Sequence, residues 1–160
     1  MTVPQDPHIL HVGHAPTPFT ADEIRLGCPV GRTIRLVVDD GGNRYFRTIR
    51  FLAVDELAAN QESTAVTAEG EPLGDPVIAR TTWLEFQEHA SFPAAATIIE
   101  REALTSSLGR LECLVYTVED GDSVTRFWFA TTKPGMPVRV EKRNGGESTY
   151  EMSMIGDEVS

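Results

Sequence analysis

The amino-acid sequence predicts a mainly β (α+β) protein, built as a curved antiparallel sheet or partial barrel of eight or nine strands with two short helices. Three observations support this fold class. Much of the chain from residue 31 onward consists of short runs rich in apolar and β-branched residues, which are typical of strands. The segments between these runs, such as "DGGN", "DGDS" and "NGGE", have the composition of tight turns. Only two segments carry helix-capping patterns.

The first segment, residues 1–18, contains four prolines and no periodic apolar pattern, which predicts an extended arm. His8, His11 and His14 lie three residues apart within it. Polyproline II geometry has three residues per turn and would place all three on one side, which is the one local geometry that could hold a metal ion. Because only Asp6 could add a nearby ligand, we expect solvated histidines on an arm docked across the sheet, and no metal site.

Two short helices are predicted from paired capping signals. In "FTADEIRLG", Thr20 and Glu23 form a capping box and Gly27 can end the helix. In "TTWLEFQEHASFP", Thr82 and Glu85 form a second capping box. A single β-rich domain is expected over residues 19–156, followed by a frayed acidic tail at residues 157–160.

The first strand pair is predicted on either side of "DGGN", a strong hairpin signal, in "RTIRLVVDDGGNRYFRTIRFLAVD". It carries five arginines in an otherwise acidic chain: Arg32, Arg35, Arg44, Arg47 and Arg50. The period of two divides them between faces within each strand, so they cannot all line one site. They could form cross-strand ion pairs, or some could bind a carboxylate or phosphate group. For the second option we select Arg35 and Arg47 as candidate ligand-binding residues.

The remaining runs predict strands in "STAVTAEGEPLGDPVIART", "ATIIERE", "RLECLVYTVED", "SVTRFWFATT", "MPVRVEKR" and "STYEMSMI". Of these, "CLVYT" and "RFWFA" are apolar at both alternating positions, which indicates strands covered on both faces. The cover could be a packed core or the wall of an apolar ligand cavity. We select Tyr116 and Trp128 as candidate lining residues, because each adds a polar tip to an aromatic ring.

Composition excludes some classes of function. The formal net charge of −10 repels phosphate backbones and anionic membranes, so we expect no nucleic-acid binding. The sequence contains no run of 18 apolar residues, so it predicts no membrane span. The segment "MTVPQDPHIL" does not have the pattern of a secretory signal, so we expect a cytoplasmic protein. Two cysteines are too few for a disulfide framework, although a Cys28–Cys113 bridge stays open.

One part of the sequence resembles a known group of domains. Over residues 100–142, Gly109, Glu112, Cys113 and Tyr116 precede Trp128 in an aromatic-rich strand, and Pro137 follows in a turn. This pattern is similar to that of uncharacterised bacterial antiparallel β domains related to the half-barrel lipoprotein carriers. The resemblance implies a concave apolar face that can hold an acyl chain. The chain differs from those carriers because it shows neither the export signal nor the lipid-attachment cysteine.

The sequence therefore predicts a domain that shelters an apolar ligand with an acidic head group in a concave sheet, without a cofactor. One alternative is a cofactor-free cyclase or isomerase in the same cavity, with His14, paired to Asp22 or Glu23, or Glu112 as acid–base groups. The other is a structural subunit that forms a homo-oligomer or meets a protein partner through residues 1–18. No nucleophile, phosphate-loop or zinc-protease motif decides between them.

Overall fold

The computed structural model describes residues 6–160 and contains one nine-stranded antiparallel sheet, which confirms the predicted fold class. The strands are β1 (Arg32–Asp40), β2 (Asn43–Val54), β3 (Ala58–Thr67), β4 (Val77–Thr82), β5 (Thr97–Ser106), β6 (Gly109–Asp120), β7 (Ser123–Ala130), β8 (Arg139–Asn144) and β9 (Glu147–Val159). Their order in the sheet is β4-β3-β2-β1-β9-β8-β7-β6-β5. The sheet thus joins two hairpin-linked meanders, and the pairing of β1 with β9 connects them.

Both predicted helices form with the predicted caps. Helix α1 spans Ala21–Gly27 and helix α2 spans Trp83–Glu88, and a 3-10 turn at Ala94–Ala96 follows α2. The Thr20 hydroxyl accepts a hydrogen bond from the Glu23 amide, and the Glu23 carboxylate accepts one from the Thr20 amide. Thr82 and Glu85 make the same reciprocal pair at α2. Each box satisfies two amides that the helix itself cannot, which explains why helices this short persist.

The two faces of the sheet differ in what covers them. On the helix-side face, defined here by Leu36, Met154, Tyr116, Phe127 and Phe129, the side chains pack beneath both helices and the arm. Aromatic contacts seal this layer. Phe19, just before α1, meets Phe129 edge-on at 6.4 Å between ring centroids, and Phe92, after α2, stacks on Phe127 at 4.9 Å. The outer face carries the alternate residues, among them Trp128.

The described part of the arm, residues 6–18, contains turns at residues 7–8 and 11–13 in place of a continuous extended chain. It is tied down by hydrogen bonds to its own chain. The Ala15 amide donates to the Phe92 carbonyl at 2.8 Å, and the Gln87 amide group donates to the Pro7 carbonyl and the Thr17 hydroxyl. Tyr116 donates its hydroxyl to the Pro16 carbonyl at 2.6 Å. Residues 1–5 of the predicted arm lie outside the described residues.

The hydroxyl of Tyr116 is the link between the arm and the middle of β6. Burial raises the pKa of Tyr116 to about 12, so its proton is available for this bond across the physiological range. We expect Tyr116→Phe to lower the free energy of unfolding by about 1 kcal/mol. Hydrogen exchange at the Thr17 amide should also become faster. Tyr45→Phe is the matched control, because the Tyr45 hydroxyl makes no side-chain hydrogen bond within residues 6–160. Equal effects of the two substitutions would contradict this role of Tyr116.

The C-terminal residues correct the prediction of a frayed tail at 157–160. Strand β9 continues to Val159, and Asp157 and Glu158 pair with Ile34 and Thr33 of β1. Asp157 also receives two hydrogen bonds from Arg32, at 2.9 and 3.1 Å. The acidic composition of this end suggested a solvated tail, but the buried arginine supplies the partner that holds the strand in place.

Within residues 6–160, no helix is long and apolar enough to cross a membrane.

Candidate functional site

A partly enclosed cavity of about 380 Å³ lies between the helices and the helix-side face of the sheet. Helices α1 and α2 form its roof, strands β2, β3 and β7 form its floor, and the loop between β7 and β8 closes one side. Its size falls in the range of small-molecule sites, which are mostly apolar with a few placed polar groups.

The walls of the cavity are mainly aromatic and aliphatic. The apolar lining comprises Ile24, Ile49, Phe51, Phe86, Ala90, Phe127, Phe129, Met136 and Pro137. Period two explains why the β7 residues meet here, since Phe127 and Phe129 share a face and lie opposite Tyr116 and Leu114 of β6. The methionine in the β7–β8 loop adds a flexible side chain that can adapt to a ligand's shape.

Three polar side chains complete the lining: Arg47 from β2, Gln61 from β3 and His89 at the end of α2. Arg47 is exposed at the cavity mouth, and its Nε donates to the Ser63 hydroxyl at 2.8 Å. Within residues 6–160, no carboxylate lies within 4.0 Å of its side-chain nitrogens. The remaining donors of its guanidinium can therefore bind an anionic group that enters from the mouth.

Cys28 is in the cavity lining and contacts the buried Arg32. The Cys28 thiol lines the wall, and Arg32 Nη1 donates to its sulfur at 3.2 Å. Burial raises the pKa of the Cys28 thiol, although Arg32 opposes the shift. The thiol form is therefore favoured, which makes Cys28 an apolar wall residue and a poor nucleophile. Cys28 and Cys113 are both free and buried, so the bridge that the sequence left open is not formed.

The four residues selected from the sequence separate in the structure. Arg47 lines the cavity, and Tyr116 lies on the same face beside it, with its hydroxyl engaged by the arm. Trp128 lies on the outer face, opposite Val115 and Arg139. Arg35 is exposed on the outer face, opposite Thr48. Of the four, Arg47 alone is in the cavity lining; Tyr116, Arg35 and Trp128 are not.

Most of the lining residues were not singled out from the sequence, among them Phe127, Phe129, Gln61 and His89. The sequence did contain a signal that separates Arg35 from Arg47. A two-residue turn at Gly41 and Gly42 pairs residues whose numbers sum to 83, which places Arg35 opposite Thr48 and Arg47 opposite Leu36. Because Arg35 and Leu36 are adjacent in one strand, the two arginines lie on opposite faces of the sheet. No local signal in the sequence identifies His89, because α2 reaches the cavity only through tertiary packing.

The three arm histidines each have a protein partner. His8 contacts the Thr17 carbonyl oxygen at 2.8 Å and Glu23 at 3.5 Å. His11 lies 3.0 Å from Glu88, and His14 lies 2.8 Å from the Ser91 hydroxyl. Their side chains thus fasten the arm to both helices. In the part of the chain that the structure describes, no group of three metal-binding side chains is arranged to hold an ion.

Comparison with known proteins shows a likeness of fold. No protein-family model matches the chain, and no curated protein matches it. Among solved structures, the crystal structure of MucB matches with a TM-score of 0.58 at 9% identity, covering 86% of this chain and 56% of that chain. The complex structure of Pseudomonas aeruginosa MucA/MucB matches with a TM-score of 0.57 at 11% identity, covering 79% of this chain and 50% of that one.

The chain thus spans about half the length of these neighbours. At such low identity the match establishes a similar β fold. It supports the predicted β architecture and shows no relationship at the level of sequence.

Proposed function

We propose that this chain is a binding domain that takes an apolar molecule with an acidic head group into the cavity beneath α1 and α2. The single observation that carries the proposal is the cavity itself, with its aromatic walls and with Arg47 at the mouth. An apolar tail would replace water along Phe127 and Phe129, which is favourable at about 25 cal/mol per Å² of apolar surface buried. The acidic head would reach the guanidinium.

A second, more open cavity of about 240 Å³ supports the assignment of the head group to this end. It is lined by Tyr45, Ser63, Thr64 and Asp75, among others, and it shares Arg47 with the first cavity. Arg47 thus stands between an apolar space and a polar one. An apolar tail can therefore lie in the first space while its acidic head group binds Arg47.

We expect Arg47→Gln to weaken the binding of dodecanoate about tenfold, because it removes a charge-assisted hydrogen bond to the carboxylate. Binding is measured by titration calorimetry or by displacement of a fluorescent fatty acid. Dodecylamine has the same tail and the opposite charge, so Arg47→Gln should not weaken its binding.

The matched control is Arg35→Gln, which removes the same charge from the outer face and should leave the affinity for dodecanoate unchanged. Equal losses in the two variants would mean that only net charge matters, and would contradict the head-group assignment. If neither dodecanoate nor dodecylamine binds the unchanged protein, the cavity proposal itself is wrong.

A cofactor-free cyclase or isomerase in the same cavity is the alternative for this site, and His89 in the lining is the observation in its favour. The acid–base residues selected from the sequence do not support it. His14, on the arm, is hydrogen-bonded to Ser91, which follows α2. The Glu112 side chain is 71% exposed and lies 3.8 Å from Arg110.

A protein partner is a second candidate function, which is compatible with the cavity. One structural neighbour was solved as the MucA/MucB complex, and we extend to this chain the proposal that it too meets a protein. The arm is poorly suited to such contact, because residues 7–17 already hydrogen-bond to their own chain. A cytoplasmic location stays a prediction from the sequence.

A further inference from the structure

Strand β5 forms one edge of the sheet and is long, regular and uncovered. It pairs with β6 over ten residues, from Thr97 opposite Val118 to Ser106 opposite Gly109, without a bulge. No other strand pairs with it within residues 6–160. Six consecutive residues, Ile98–Ala103, are exposed, and Ile98 and Ile99 are 58% and 38% exposed. Half of the backbone N–H and C=O groups of such a strand point away from the sheet and can pair with another chain.

The opposite edge, β4, is protected in ways that β5 is not. It has only six residues, it follows Pro76, and it runs directly into α2. Shortness and a neighbouring proline are among the usual devices that block strand addition. The two edges of this sheet therefore differ in their capacity to accept a strand.

The charges on β5 disfavour pairing with a second copy of the same strand. Two antiparallel registers of nine residues preserve the two faces: one places Arg101 opposite the partner copy's Arg101 and Glu100 opposite its Glu102, and the other places Glu102 opposite the partner copy's Glu102. Like charges directly opposite each other are destabilising. The same Glu-Arg-Glu pattern would favour a strand that carries Lys-Glu-Lys, with apolar residues on either side opposite Ile98 and Leu104.

The net negative charge around β5 also favours a partner strand that carries lysines. The β5–β6 hairpin, residues 97–120, carries five carboxylates and two arginines. Glu100 has no ion-pair partner within residues 6–160, and Glu102 is paired only with Arg126, at 3.4 Å. A partner strand with lysines at these positions would neutralise excess negative charge.

We propose that the β5 edge is a docking site for an extended segment of a partner protein, which adds a tenth strand and places lysines opposite Glu100 and Glu102. This mode uses backbone hydrogen bonds for affinity and alternating side chains for selectivity. The inference rests on the proposed protein partner and is independent of the cavity, so the dodecanoate measurement and the measurement below can fail separately.

The probe is a fluorescein-labelled peptide, Thr-Leu-Val-Lys-Glu-Lys-Val-Ile-Thr, which in antiparallel pairing matches residues 105 to 97 position by position. Its control exchanges the charges to Glu-Lys-Glu at the centre. Measured by fluorescence anisotropy, the probe should bind the unchanged protein about tenfold more tightly than the control, since three attractive cross-strand pairs become repulsive.

Non-specific attraction to an acidic protein is removed by a charge-exchanged variant, Glu100→Lys with Arg101→Glu and Glu102→Lys. This variant changes the net charge from −10 to −8, because the two Glu→Lys changes add four charges and Arg→Glu removes two. General attraction would still favour the basic probe. The expected result is a reversed preference, with the control peptide now bound more tightly. An unreversed preference in the folded variant would overturn the proposal.

A second measurement needs no change to the protein. Peptides N-methylated at alternate residues keep their side chains but lose the N–H groups on one edge. Only the set whose methyl groups face β5 should lose binding. Equal binding by the two sets, or no binding by the unmethylated probe, would overturn the assignment of a strand-addition site.

Discussion

Asp157→Asn is expected to lower the free energy of unfolding at pH 7 by about 3 kcal/mol, which is typical when one member of a buried ion pair is removed. Arg32 is 3% exposed, and its guanidinium donates two hydrogen bonds to the Asp157 carboxylate. It also donates to the Gly27 carbonyl at 3.0 Å and to the Pro134 carbonyl at 2.8 Å. Loss of the carboxylate leaves this cation buried without a counter-charge. Lys133, at 3.0 Å from the same carboxylate, adds a second cation.

The pH dependence of the effect follows from the pKa shift. Burial would raise the pKa of Asp157, but the hydrogen bonds from Arg32 and Lys133 outweigh burial and hold the pKa below its ordinary value. A carboxyl group whose pKa is lower in the folded state stabilises the protein above its unfolded pKa, and this contribution disappears as the pH falls through the folded pKa. The difference between the unchanged protein and Asp157→Asn should therefore be full at pH 7 and shrink below about pH 4.

Urea unfolding at pH 7 and below about pH 4 measures the difference in the free energy of unfolding between the unchanged protein and Asp157→Asn. Asp39→Asn is the control, because Asp39 pairs with Arg44 on the exposed β1–β2 hairpin, where water screens the pair. It should leave the urea midpoint at pH 7 nearly unchanged. A similar loss in the two variants would show that the buried position of Asp157 has no special role.

Trp128→Ala is expected to lower the free energy of unfolding by about 3 to 5 kcal/mol and to leave dodecanoate binding unchanged. Trp128 is 4% exposed on the outer face of β7, where the guanidinium carbons of Arg126 and Arg139 lie 4.7 and 5.1 Å from its ring centroid. Its removal opens a cavity and frees both arginines. The ligand cavity lies beyond the sheet on the other face and keeps its lining.

Trp128→Phe distinguishes packing from hydrogen bonding. The Trp128 indole N–H is buried and has no hydrogen-bond partner within residues 6–160, so its loss removes an unsatisfied donor. We expect Trp128→Phe to destabilise the protein much less than Trp128→Ala. Thermal unfolding and the dodecanoate assay are run on the same samples. If Trp128→Ala weakened dodecanoate binding while its fold stayed intact, the assignment of Trp128 to the outer face would be contradicted.

Local chemistry explains why the secondary structure followed from the sequence. The capping boxes at Thr20–Glu23 and Thr82–Glu85 need only three residues' separation, so they can be recognised without any tertiary information. The Asp40–Asn43 turn can likewise be predicted from its own residues, because Gly41 and Gly42 adopt the positive φ angles, 59° and 90°, that a two-residue hairpin loop needs. The two helices and the hairpin turns of the sheet were therefore predictable from neighbouring residues, whereas the turns of the arm and the C-terminal end of β9 were not.

The candidate site was only partly predictable. Arg47 and the strand that carries Phe127 and Phe129 were selected from the sequence and lie at the cavity, but a strand's alternation shows which residues share a face and not what covers that face. Trp128 and Phe129 are both buried, at 4% and 3% exposure, so burial alone could not separate the outer face from the cavity. The position of the helices decides it, through contacts such as Phe19 with Phe129.

The sequence by itself determined the class of fold, the turns, the helix caps and the acidic character of the chain, because each depends on composition or on residues close in sequence. The local hairpin turn also fixed that Arg35 and Arg47 lie on opposite faces, but only the tertiary structure decided that Arg47 and His89 meet at one cavity and that Trp128 lies on the face away from it. It also decided that the acidic C-terminus is a strand, since Asp157 is held by Arg32, 125 residues away. These outcomes depend on register and on packing between distant segments, which no local pattern encodes.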